Sequence, residues 1–197
     1  MMRLAPLLAG CLLAAAVALP ATAHETVYKA TLNGASEAPP NVSPGFGTAT
    51  VTFDFDAVTM RVETSFSGLL GNTTASHIHC CTAVPGTGTA GVATTTPTFP
   101  GFPLGVTSGS YDHTFDMSLA SSYNSAFITG HGGTVSSAMN ALIFGLDAGE
   151  TYLNIHTSAF PGGEIRGFLV AVPEPSTYAL MLAGLGLAGL VARRRAA

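Results

Sequence analysis

The residues of this chain best able to do chemistry stand together at Ser76-His77-Ile78-His79-Cys80-Cys81, where two histidines one residue apart are followed by two adjacent cysteines. On a β-strand alternate residues share a face, so His77 and His79 point one way and Ile78 the other, with the two histidine Cα atoms roughly 6.5–7 Å apart. That spacing lets two imidazoles hold one ion. In Tyr152-Leu153-Asn154-Ile155-His156 the same alternation sets His156 on the more polar face with Tyr152 and Asn154, and His131 stands in the loop-like Gly130-His131-Gly132-Gly133. Three or four imidazoles would suit copper or zinc. The structural alternative is that His77, His79 and His156 bond to backbone and neighbouring strands and organise the sheet. Both readings stand on the residues alone, and no cofactor is assured.

The chemistry open to Cys80 and Cys81 depends on the compartment, and the termini act as addresses. Met1 to Ala23 has one basic residue, Arg3, an apolar run from Leu4 to Leu19, and a small-residue stretch ending at Ala23. This is the pattern of a secretory signal peptide over residues 1–23, cut by signal peptidase. Cys11 leaves with it, so in an oxidising compartment Cys80 and Cys81 can pair within the chain only with each other, as a vicinal disulfide. Thiolate metal ligation and intermolecular pairing are the alternatives.

At the other end, Pro173-Glu174-Pro175 precedes an apolar run from Tyr178 to Ala192 and the cluster Arg193-Arg194-Arg195. At ~1.5 Å per residue the run spans roughly 22 Å as a helix, enough to cross a membrane only with help from its flanks, with the arginines left in the cytoplasm. These parts, in this order over residues 172–197, resemble a PEP-CTERM sorting signal. The resemblance implies a membrane-anchored precursor, processing by exosortase near the Pro-Glu-Pro motif, and delivery to the cell surface or exopolysaccharide matrix of a Gram-negative bacterium.

Between the signals, residues 24–171 are the size of one domain. They carry all but one of the chain's 11 acidic residues and only Lys29, Arg61 and Arg166 of its 7 basic ones, which argues against a nucleic-acid partner. Glycine, threonine, serine and proline are abundant, and tryptophan is absent. Strict alternation in 47–57, 60–66 and 110–119 predicts half-buried antiparallel strands. Residues 151–157 and 164–171 form a closing hairpin about Pro161-Gly162-Gly163. Val135, Met139, Leu142, Ile143 and Leu146 recur at helical spacing behind Thr134, a candidate N-cap, and a shorter helical turn is expected within 121–128. The uncharged loop 84–105 is expected to be mobile or draped over the surface. The fold class expected is all-β: a Greek-key, immunoglobulin-like β-sandwich with one or two short helices, plus the N-terminal signal and C-terminal transmembrane helices.

Leu32-Asn33-Gly34-Ala35-Ser36-Glu37-Ala38-Pro39-Pro40, Ala75-Ser76-His77-Ile78-His79, Tyr152-Leu153-Asn154-Ile155-His156-Thr157 and Pro161-Gly162-Gly163-Glu164-Ile165-Arg166-Gly167 together resemble a CHRD domain. The resemblance implies an extracellular β-rich module without an established general activity. Glu164 and Arg166, two residues apart on one strand, are expected to form a structural ion pair. No Ser-His-Asp order, phosphate loop or paired catalytic carboxylates are recognisable, so the protein is not expected to be an enzyme. The leading expectation is a non-catalytic surface or matrix module with exopolysaccharide or surface proteins as candidate partners. The alternative is an extracytoplasmic copper- or zinc-binding β-sandwich using His77, His79 and His156, with His131 as an additional candidate.

Overall fold

The computed structural model describes residues 24–173 and, beyond them, Leu182, Gly184, Leu185, Ala188 and Arg193. The signal peptide and most of the sorting tail, including Glu174 and Pro175, lie outside the described residues. Among the described residues no helix is long and apolar enough to cross a membrane.

The chain is mostly β. Strands β1 (Glu25–Asn33), β2 (Phe46–Asp54), β3 (Thr59–Ser67), β4 (Thr73–His79), β5 (Gly109–Asp116), β6 (Tyr152–Thr157), β7 (Ile165–Phe168) and β8 (Val170–Ala171) form one antiparallel sheet. Its order is β4-β6-β7-β1-β2-β3-β5, with β8 also on β1. β1, β2 and β3 are successive antiparallel neighbours, and β7 returns beside β1 after β4, β5 and β6. The layers of the expected sandwich are thus parts of one continuous, curled ladder.

The alternation that predicted β2 and β3 sets their inner faces. Ala49, Val51 and Phe53 from β2 meet Met60, Val62 and Phe66 from β3, and all are buried. Burying each large side chain contributes about 1.5–3 kcal/mol. β1 lies outside the strands expected from the sequence; its Tyr28, Ala30 and Leu32 face the same core, and it pairs with β2 over its whole length.

Helix α1 (Ser125–Gly130) is short, and helix α2 (Val135–Asp147) begins with a reciprocal cap. Thr134 accepts from the Ser137 amide, and the Ser137 hydroxyl accepts from the Thr134 amide. Ala138, Leu142, Gly145 and Leu146 fall on one helical stripe and are buried. Gly149, at φ +69°, ends the segment where a side chain would be strained.

Cys80 and Cys81 are joined to each other by a disulfide, and α2 lies directly on it. A methyl group at Gly145 would overlap both sulphurs and come within 2.9 Å of Thr151 Oγ1. Gly145→Ala is therefore expected to destabilise the fold by about 1–3 kcal/mol, because overpacking exceeds the ~1 kcal/mol gained in helix propensity. A chemical-denaturation midpoint at or above the parent's would refute this.

The segment 84–105 departs from expectation. It is bound along the outer edge of β4 by main-chain bonds, among them Ala93 N to Ile78 O (2.9 Å) and Phe99 N to Ser76 O (3.1 Å). Ala93, Phe99 and Phe102 enter the core. Its apolar residues are too widely spaced to show a period, yet two phenylalanines suffice to anchor it.

Candidate metal centre

The antiparallel register of β4 and β6 builds the site. Ala75 pairs with His156, His77 with Asn154, and His79 with Tyr152. Directly paired residues share a face, so all three histidines, Asn154 and Tyr152 project from the side opposite Ile78, Leu153 and Ile155. Their ring centroids lie 5.3 to 6.2 Å apart, and one nitrogen from each ring falls within 4.8 Å of the other two.

Two loops, segment 84–105 and the β6–β7 turn, roof this face and fix the rings. His77 Nε2 donates to the Pro97 carbonyl (2.6 Å), His79 Nδ1 to Ala90 (2.9 Å), and His156 Nδ1 to Pro161 (2.8 Å). A carbonyl only accepts, so each bonded nitrogen carries the proton and the neutral ring keeps a lone pair on the other. Those other atoms, His77 Nδ1, His79 Nε2 and His156 Nε2, are buried without a partner. Burial holds His77 down to about 4, with the Pro97 bond opposing and repulsion from His156 and His79 adding. Burial also lowers His79 and His156. At neutral pH the site therefore presents three uncharged imidazoles with their lone pairs free, in the tautomers a metal requires.

Neighbouring groups complete the surroundings. Tyr152 stacks flat on His79 at 4.8 Å, and the Arg166 guanidinium lies 4.6 Å from the Tyr152 ring centre. Arg166 sits opposite Asn154 in β7, donates to the carbonyls of Ser36 and Gly88, and lies 3.7 Å from Glu37. Burial pushes the Glu37 carboxyl up to about 7 against the pull of Arg166.

Two expectations are corrected. Glu164 does not pair with Arg166, because regular alternation starts only at Ile165: Glu164 points to the core side together with Ile165, whereas Arg166 lies on the opposite face beside Glu37. There Glu164 is fully buried and accepts from Ser43 Oγ, Leu70 N, Gly71 N and Thr157 Oγ1. Burial raises its carboxyl, but these four bonds outweigh it and leave the net shift downward. His131 does not join the other histidines. It follows α1, donates from Nδ1 to the Phe127 carbonyl (2.8 Å), and packs against the Phe127 ring.

Sequence reasoning overlooked Asn154 and Glu37 as parts of the site. Alternation set Asn154 on the face of His156, but a neutral amide gives no chemical signal by itself to mark it as part of a site. The carbonyls of Ala90, Pro97 and Pro161 carry no signal in side-chain identity.

Fold and site define a curled antiparallel β-domain with three histidines converging beneath surface loops. The family model of the CHRD domain matches residues 28–169, and that of the PEP-CTERM protein-sorting motif matches residues 171–195. The chain belongs to the CHRD-domain family. No curated protein and no solved structure matches it. With its sorting motif, it is an exosortase-processed, extracytoplasmic protein directed to the cell surface of a Gram-negative bacterium.

Proposed function

We propose that this sorted protein is a non-catalytic metal-binding module of the cell surface or exopolysaccharide matrix, taking copper or zinc at His77, His79 and His156. The observation that carries this reading is the set of three buried ring nitrogens, unpartnered and grouped, while the opposite nitrogen of every ring is held by a backbone carbonyl. Rings that served only to organise the sheet would have little reason to leave three lone pairs buried together, since each costs about 1–3 kcal/mol when unsatisfied. A bound cation removes that cost. Neutral imidazoles are good ligands for both copper and zinc.

Residues 24–173 contain all eight strands and the core, and are the material for the test. After chelator treatment and reloading with copper or zinc, the parent is expected to retain a single ion per chain, and His77→Ala and His156→Ala to retain none. Folded parent protein that stays metal-free would return the histidines to sheet architecture. The matrix assignment has its own test: loss of exosortase should leave the protein as a retained precursor, and mature protein still reaching the matrix would contradict it.

A further inference from the structure

Resting on that metal-binding reading, we infer that Asn154 Oδ1 is a fourth donor atom, making the site three imidazoles and one amide oxygen. Asn154 is only 2 % exposed, and its Oδ1 is buried with no hydrogen-bond partner. In the strand register it stands directly opposite His77 and two residues from His156, on the face the histidines share. His79 is the next residue beyond His77 on that face of β4, diagonal to Asn154 across the strand pair. One amide thus borders all three candidate ligands.

Its orientation follows from the other side. Space above Gly163 is bounded by Glu37 Oε1 and Asn154 Nδ2, which would lie 2.6 and 2.9 Å from a methyl group placed there. The amide nitrogen thus lies on the Glu37 side, where Glu37 Oε1 is itself buried without a hydrogen-bond partner, and the oxygen lies on the side of the imidazoles. Glu37 is in turn beside Arg166, which is anchored by Ser36 and Gly88. This outer row flanks the amide on the side away from the rings, with Arg166 directly opposite Asn154 in the strand register.

The four inward-facing atoms, His77 Nδ1, His79 Nε2, His156 Nε2 and Asn154 Oδ1, are all acceptors, and none has a donor. Acceptors grouped without a proton among them repel one another unless a cation lies between. An oxygen in the set also shifts its preference. Amide oxygen is a hard donor, so three nitrogens and one oxygen suit a divalent ion, Zn(II) or Cu(II), better than Cu(I).

The test uses the full chain, purified in detergent, with Zn(II) and Co(II) as probes. Zn(II) affinity is measured by chelator competition, and coordination is read from the visible spectrum of the Co(II) form. Asn154→Ala is expected to keep a single site but lose about 10- to 100-fold in Zn(II) affinity. Its Co(II) absorption should weaken as water raises the coordination number. Asn154→Asp, which keeps an oxygen in place and adds charge, should match or exceed the parent's affinity, and it decides the question if the alanine variant does not fold. Parent-like affinity and Co(II) spectrum in Asn154→Ala would overturn the fourth ligand while leaving the histidine site standing. If Asn154→Ala does not fold, an Asn154→Asp affinity well below the parent's would do the same. A parent chain that binds neither probe would overturn both.

Discussion

Replacing Glu164 with alanine is expected to cost about 3–5 kcal/mol, enough to leave much of the protein unfolded near room temperature if its total stability is toward the lower end of the usual ~5–15 kcal/mol. Glu164 is fully buried, and its two oxygens receive four hydrogen bonds, from the segment before β2, the loop between β3 and β4, and the end of β6. Three of them are 2.6 Å long, in the range of strong charge-assisted bonds. Truncation leaves the Leu70 and Gly71 amides and two hydroxyls without an acceptor, each with a desolvation cost. Glu164→Gln should destabilise too, because an amide nitrogen would face groups that already donate. Chemical denaturation of residues 24–173 measures both. A loss below ~1 kcal/mol in the alanine variant would show that water replaces the carboxylate and that it does not knit these segments together.

That same residue shows where reading the sequence succeeded and where it stopped. The Glu164-Ile165-Arg166 spacing implied a shared face only if the strand was regular from Glu164 onward, and β7 begins one residue later, after a glycine at φ +130°. Glu164 and Ile165 both turn to the core side, which leaves Arg166 on the opposite face for Glu37, more than a hundred residues earlier. His77, His79 and His156 were legible because two regular antiparallel strands preserve the period-2 rule up to the site. The alternation of β2 and β3 was legible for the same reason.

The elements that escaped lack such a local rule. Segment 84–105 gains its order by adding to the edge of β4 and inserting Phe99 and Phe102, contacts made with residues distant in sequence. It nonetheless supplies the carbonyls of Ala90 and Pro97 that set the tautomers of His79 and His77. His131 misled for the opposite reason: a histidine among glycines looked free to move into a site, whereas its ring caps the helix immediately before it. Residue type marked the candidate ligands, but backbone geometry decided which could meet.

Metal loading is expected to raise stability by about 4 kcal/mol at a free ion concentration ~1,000 times Kd, if the unfolded chain binds the ion negligibly. For a domain of this size that is a rise in Tm of roughly 8–16 °C. The gain should vanish in acid, and the sign follows from the rings. His77 is lowered from 6.5 to about 4 in the folded protein, and His79 and His156 are lowered as well. Between the folded and unfolded values the unfolded chain binds more protons, so the apoprotein loses stability as pH falls from about 6.5 toward 4. Protons also compete for the lone pairs that would hold the ion. Glu37 acts in the opposite sense: raised from 4.5 to about 7, it contributes stability below 4.5 that is lost as pH climbs through 7. Glu37→Gln should therefore steepen the acid loss, whereas a triple alanine variant of His77, His79 and His156 should flatten it and abolish the metal-dependent rise. Thermal unfolding of apo and zinc-loaded protein across pH 4–8 reads these effects together. A metal-dependent rise that persists in the triple variant would place the ion elsewhere, and an acid loss unchanged by that substitution would mean that the three rings do not govern stability in this range.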